Sequence, residues 1–292
     1  MRLSTQDILK KVRKIEIKSR GLSNNIFAGE YHTRFKGRGM TFSEVRNYQY
    51  GDDTRTIDWN VTARYNQPFI KLYEEERELT VMLLIDVSGS TIFGTEDKFK
   101  REQIAEIAAV LAFSAIQNND KVGVLFFSDK IERYIPAKKG KSHILRIIRE
   151  LLSFEAKGKG TDVAVALKYL TNAQKRRCTT FVISDFVSPD FDKALSIANN
   201  KHDVVALQVY DHRETEIPNV GILKVKDAET GEYYWVNTAN KKVREQYSEW
   251  WNNFQNNTIR LFKQKKVDFV NIRTDEDYVF ALQNLFKQRA GK

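Results

Sequence analysis

Five large apolar residues in a row, Val81-Met-Leu-Leu-Ile85, run straight into Asp86, and the chain continues Val-Ser88-Gly-Ser90. A strand that is apolar at every position, instead of at alternate ones, is buried on both faces, as in the middle of a parallel sheet covered by helices. Its C-terminal end must open into a loop, and here that loop carries an acid and two hydroxyls at alternating positions. Hard oxygen donors converging at a strand end suit Mg2+ or Mn2+.

From Leu79 onward the segments alternate. A helix is predicted from about Lys98 to Gln117, followed by a strand over Val122 to Phe127. Only Ser128-Asp-Lys130 separates that strand from Ile131 to Ile135, a spacing that predicts a hairpin and an antiparallel edge strand. Helices near Ser142 to Leu152, Asp162 to Thr171 and Asp190 to Asn199 then separate strands at Thr179 to Ile183 and Val204 to Val209. A last strand, Val267 to Ile272, leads into a helix with Thr274 as its expected cap. The expected fold is α/β: a doubly wound, mostly parallel open sheet with one antiparallel edge strand, a β-hairpin insertion at about residues 211–240, and a smaller β-containing N-terminal region. Residues 1–78 and 79–292 are the expected domains.

Ligands in such sheets bind beyond the carboxyl ends of the strands. Two further oxygen-bearing segments fall there: Ser184-Asp185-Phe186, where a buried strand ends, and Gly158-Lys-Gly-Thr161-Asp162, a flexible loop before a helix. Asp86, Ser88, Ser90, Thr161 and Asp185 together form a candidate five-residue metal site. In type and order they resemble the metal-ion-dependent adhesion site of von Willebrand factor type A domains. The resemblance implies that Ser88 and Ser90 bind the cation directly, Thr161 directly or through water, and Asp86 and Asp185 through water or second-layer hydrogen bonds. Hydroxyls bring no charge, so a divalent ion held this way stays electrophilic, and a Glu or Asp of a partner protein can complete it.

Enzymatic rivals fit the pattern less well. Phosphohydrolases of the haloacid dehalogenase type also place an Asp at the end of a first parallel strand, but their second acid is replaced here by Ser88, which cannot act as general acid and base at neutral pH. Val87-Ser88-Gly89 lacks the Gly-x-Ser-x-Gly elbow, and His32, His143, His202 and His212 show no triad spacing. The glycines around Lys159 lack the Gly-Lys-Ser/Thr ending of a phosphate loop. No catalytic residues are therefore expected.

The net charge of +10 is uneven, because residues 1–40 hold ten Lys or Arg against three acids. Ser4 to Ile17 reads as an amphipathic helix with Ile8, Leu9, Val12 and Ile15 on one face and Lys10, Lys11, Arg13 and Lys14 opposite. Packing of the apolar face on the body, with the basic face solvated, is the favoured reading. An electrostatic binder of nucleic acid or membrane is the alternative, weakened for single strands by the absence of aromatics among the lysines. The polar N-terminus, the lack of a long apolar run and a single cysteine, Cys178, fit a cytoplasmic protein, with peripheral membrane contact compatible with the charge.

Ahead of the strand lies Gly51-Asp-Asp-Thr-Arg-Thr-Ile-Asp58-Trp59 followed by Thr62-Ala-Arg64. Its acids alternate with Arg46, Arg55 and Arg64, which predicts a structural knot of ion pairs around Trp59 more readily than a catalytic cluster. With the Asp-x-Ser-x-Ser run, and with Asp211-x-Arg-Glu214, Pro218, Gly221 and Asp227-Ala-Glu-Thr-Gly-Glu232, these residues resemble the bacterial domain of unknown function 58 family. That resemblance implies a non-catalytic adaptor working with a MoxR-type AAA ATPase. In the insertion, Arg213 and Glu214 either shape a partner surface or form a local ion pair. Of the adjacent Trp250 and Trp251 on a helix over Lys241 to Lys265, only one can point straight inward.

Overall fold

A computed structural model describes residues 10, 12–16, 18, 41–74, 79–89, 100–158, 160–226 and 232–290. The chain divides into two compact units, one of Met1–Thr33 with Thr80–Lys292 and one of Arg34–Leu79. Where the sequence reading placed residues 1–78 in one domain, the basic N-terminal segment groups here with the larger unit. The reason is burial. In helical residues 12–16 (α1), Val12 and Ile15 are 6% and 5% exposed within the main core, while Arg13 and Lys14 face solvent. Glu16 pairs with Lys141, and Lys18 with Glu106. Ser4, Asp7, Ile8, Leu9 and Lys11 lie outside the described residues.

In the smaller unit, β1 (Thr41–Asn47) pairs antiparallel with β2 (Phe69–Glu74), and a short 3-10 turn (Thr54–Thr56) and α2 (Trp59–Tyr65) lie between them. Its aspartates are used one by one. Asp52 forms a two-pronged pair with Arg46 at 2.7 and 2.8 Å; Asp53 caps the turn through the Arg55 amide; Asp58 caps α2 through the amides of Asn60 and Val61. These are structural tasks, as expected. The knot is not built around Trp59, however, which is 68% exposed, and Asp58 pairs with Lys71 at 3.6 Å instead of with an arginine.

The larger unit is built on β3 (Thr80–Asp86), β4 (Lys121–Phe127), β5 (Ile131–Lys138), β6 (Thr179–Ser184), β7 (Asp203–Tyr210) and β10 (Asp268–Arg273), in the order β10-β7-β6-β3-β4-β5. All neighbours are parallel except β4 and β5, the predicted antiparallel edge. Val81, Leu83 and Ile85 of β3 face one core with α3 (Lys100–Gln117), α4 (Lys141–Ser153) and α8 (Tyr278–Ala290). Met82 and Leu84 face the opposite core with α5 (Val163–Ala173), α6 (Asp192–Lys201) and α7 (Lys241–Gln264). Burial on both faces is what the unbroken apolar run required.

The predicted insertion is a hairpin of β8 (Ile222–Lys226) and β9 (Tyr233–Asn237). On α7, Trp251 is 6% exposed and Trp250 is 48% exposed, so the adjacent pair does split between core and surface. Thr274 does not cap α8. The helix begins at Tyr278, Asp277 accepts from the Val279 amide, and the Thr274 hydroxyl donates to Asp211 Oδ2 at 2.9 Å. A long-range acceptor won the hydroxyl from the local backbone. No helix among the described residues is long and apolar enough to cross a membrane.

Candidate metal centre

From β3 the chain passes to β4 and β5 on one side, then returns to β6, β7 and β10 on the other. The strand order therefore reverses between β3 and β6, which is where a doubly wound sheet opens a crevice at its carboxyl edge. Asp86 ends β3; Ser184 ends β6 and Asp185 follows it.

Asp86 is 1% exposed. Its Oδ1 accepts from the Ser88 amide at 2.9 Å, and its Oδ2 accepts from Ser184 Oγ at 2.7 Å and Thr161 Oγ1 at 3.3 Å. Burial pushes the Asp86 carboxyl up to about 6 and the charge of Asp185 pushes the same way, while hydrogen bonds from the Ser88 hydroxyl and amide and from Ser184 oppose both. The structure thus brings Asp86, Ser88 and Thr161 together and places Asp185 within electrostatic reach. Ser90 lies outside the described residues.

Each contributor is held by a specific local device. Glu132 on β5 accepts from the amides of Lys157 and Gly158 at 3.0 and 2.6 Å and from Ser128 Oγ at 2.8 Å. The Asp162 amide donates to Ser128 O. These bonds stitch the loop that carries Thr161 to the end of β4. Gly158 is required for the close approach: a Cβ there would come within 1.8 Å of Asp129 Oδ1 and 2.1 Å of Ser128 Oγ. After β6, Phe186 adopts a left-handed backbone with φ 61°, a conformation that costs a bulky residue energy. Its ring, 2% exposed, is anchored by Phe191, Phe262 and Phe269. The turn so fixed lets Asp185 Oδ1 accept from the Val187 amide, while Gln208 Nε2 donates to the Asp185 carbonyl.

Three residues here were not grouped with the site by the sequence reading. Ser184 was visible beside Asp185 but not assigned, and its hydroxyl donates to Asp86 Oδ2 at 2.7 Å. Lys100, the first residue of α3, is 1% exposed and donates to Asp185 Oδ2 at 2.9 Å and to Glu214 Oε1 and Oε2 at 3.0 and 3.3 Å. Burial alone would lower the ammonium's pKa, but Asp185 and then Glu214 outweigh it and hold the group above its ordinary value. Glu214 therefore pairs with a residue 114 positions away and not with its neighbour Arg213. Burial raises its carboxyl despite Lys100. The one available signal was a lysine in the first turn of a helix, where acids are preferred.

The donor set suits a hard cation. A hydroxyl can direct its proton to Asp86 while offering a lone pair to an ion, so Ser88 and Thr161 can serve both at once. Among the described residues no three His, Cys, Asp or Glu side chains gather as a metal site. Soft or imidazole-rich coordination has no counterpart there.

Residues 44–256 match the family described as protein of unknown function DUF58. The chain belongs to that family. It is 31% identical over 223 residues to the uncharacterised protein Rv1480 of Mycobacterium tuberculosis (strain ATCC 25618 / H37Rv), covering 75% of this chain and 70% of that one. Among solved structures, the conserved hypothetical protein BatB from Bacteroides thetaiotaomicron is similar, with TM-score 0.48 and 17% identity over 73% of this chain and all of that one. The SpRpn10 VWA domain has TM-score 0.39 and 11% identity over 73% of this chain and 95% of its own. Neither structural likeness bears on which residues act.

Proposed function

We propose that this protein is a metal-dependent protein-interaction module of von Willebrand factor A type. In this reading Ser88, Ser90 and Thr161 hold Mg2+ or Mn2+, Asp86 and Asp185 supply the negative charge behind them, and a Glu or Asp side chain of a partner completes the cation. The observation that carries it is the convergence of the Ser88, Thr161 and Ser184 side chains on the buried Asp86 carboxylate at the point where the strand order reverses. The module is read as non-catalytic: Ser88 stands where a phosphohydrolase of haloacid dehalogenase type needs its second acid, which disfavours that alternative. The family resemblance makes a MoxR-type AAA ATPase the first partner to try.

The test is a calorimetric titration with Mg2+ and Mn2+ of the wild type and of a folded Asp86→Ala/Ser88→Ala variant, followed by capture of the ATPase with and without chelator. Saturable binding by the wild type alone is the expected result. Equal titrations, with an added carboxylate ligand present, would remove the metal from the proposal. Phosphate-ester turnover lost on Asp86→Asn would replace it by the hydrolase.

A further inference from the structure

We infer that Lys100 is a resident counter-ion of this site, competing with the divalent cation for Asp185 and so keeping metal affinity low until a partner carboxylate arrives. The inference rests on the metal reading above and concerns how that site is regulated.

Burial makes Lys100 costly to place where it is. It is among the largest fully buried side chains of the protein. Its charge must give up its water to lie there. Two carboxylates meet that cost, and they come from two different strand ends: Asp185 after β6 and Glu214 in the 3-10 turn His212–Glu214 after β7. The second is itself braced. Glu214 Oε2 accepts from the Asp211 amide at 3.1 Å, and Tyr247 of α7 donates to the Glu214 carbonyl at 2.9 Å. A lysine serving only as packing would not need this arrangement.

The consequence for a cation follows from counting charge. Asp86 and Asp185 are the acids of the proposed site, and an ammonium already holds one oxygen of Asp185. A divalent ion gains less from a carboxylate that is neutralised in this way, and it is repelled by the ammonium across a short, poorly screened distance. Glu214 moderates the competition because it shares the ammonium. Removing the Lys100 charge therefore strengthens metal binding, whereas removing the Glu214 charge leaves the ammonium to Asp185 alone and weakens it. A merely structural role would move both variants the same way.

The experiment is a Mn2+ titration by calorimetry of full-length wild type, Lys100→Met, Glu214→Gln and the double variant Lys100→Met/Glu214→Gln, with thermal melts in chelator and in Mn2+. Lys100→Met is expected to bind roughly tenfold or more tightly than wild type, and its melting temperature to rise more on adding Mn2+. Glu214→Gln is expected to bind more weakly. The double variant removes both members of the ion pair, so it tests the affinity gain even where Lys100→Met folds poorly. Binding by Lys100→Met or the double variant with none measurable in wild type would also support the inference, since the ammonium would then stand in for the metal. Wild-type binding with affinity unchanged or reduced in both lysine variants overturns it and leaves the metal site intact. No binding by any of the four, with an added carboxylate ligand present, overturns the metal reading itself.

Discussion

Arg46 and Asp52 in the smaller unit, and Lys100 with Asp185 and Glu214 in the larger, are assembled from the same chemistry at nearly the same distances, 2.7 to 3.0 Å for their closest contacts. The Arg46 side chain is 36% exposed and that of Lys100 is 1% exposed. Water screens the first pair and competes for both its partners, so it organises the Gly51 turn without carrying much of the unit's stability. In the second cluster the ammonium and the Asp185 carboxylate are shut away from water, so each depends on the other remaining in place. Geometry alone would rank the two-pronged arginine pair as the stronger. Burial reverses the ranking as far as the effect of breaking it is concerned.

The largest expected effect of breaking the comparison is at Lys100. In chelator, Lys100→Ala should lower unfolding stability in urea by about 3–5 kcal/mol, the usual cost of orphaning buried charges. A loss under about 1 kcal/mol would mean that water enters the cluster and that the contrast with Arg46 is one of degree only. Next is Gly158→Val, which tests the stitching of the Thr161 loop. The side chain would displace Asp129 and Ser128 or push the loop away, at about 1–3 kcal/mol of stability. It should reduce Mn2+ affinity without touching any proposed ligand, and unchanged affinity would show that the loop's position is not set by Gly158.

The strand ends were legible because each is announced locally, by an apolar run that stops at a polar residue. Asp86, Thr161 and Asp185 could be grouped from sequence although they lie 75 and 24 residues apart, since the fold class states where strand ends meet. Lys100 could not be grouped with them. Its partners, Asp185 and Glu214, lie 85 and 114 residues away, and no local pattern links it to either. The local ion pair that was one of two readings for Glu214, and the helix cap expected of Thr274, fail for a related reason. Each residue had a plausible neighbour, Arg213 for the one and the first turn of α8 for the other, and each is taken instead by a residue far away in the chain, Lys100 and Asp211. Local rules identify what a polar side chain can do; in a sheet's crowded carboxyl edge, tertiary partners decide what it does.

A smaller effect, confined to acid, comes from another buried polar contact in the larger unit. His202 is 0% exposed, with Nδ1 at 3.3 Å from the Cys178 sulfur, and burial, with Lys201 and Arg177 adding to it, lowers its pKa from 6.5 to about 4. Between these values the unfolded chain binds a proton that the folded one does not. Folding stability should therefore fall as the pH drops from about 6.5 toward 4, and be unaffected by this group above that window. Urea unfolding of wild type and His202→Gln at pH 7.5, 6 and 5 checks this. The difference between them should shrink or reverse as acid is added, and parallel curves would show that the histidine protonates in place.

The smallest effect belongs to the exposed pair that began the comparison. Asp52→Asn removes the charge while keeping an acceptor for the Gln49 amide, which now donates to Asp52 Oδ2 at 2.8 Å. The carboxyl lies below its ordinary pKa, chiefly through the hydrogen bond from Arg46 and next through that amide. Because the acid's folded value is depressed, any stability it lends is present above the unfolded pKa near 3.8 and is lost only in stronger acid. At neutral pH the substitution should shift the thermal midpoint slightly at low salt and by no more than the scatter of the melt at high salt, where exposed pairs are screened. A shift that survives high salt would mean that the pair is shielded by something more than its own two side chains, and the smaller unit would then hold a buried charge cluster of the same kind as the larger one.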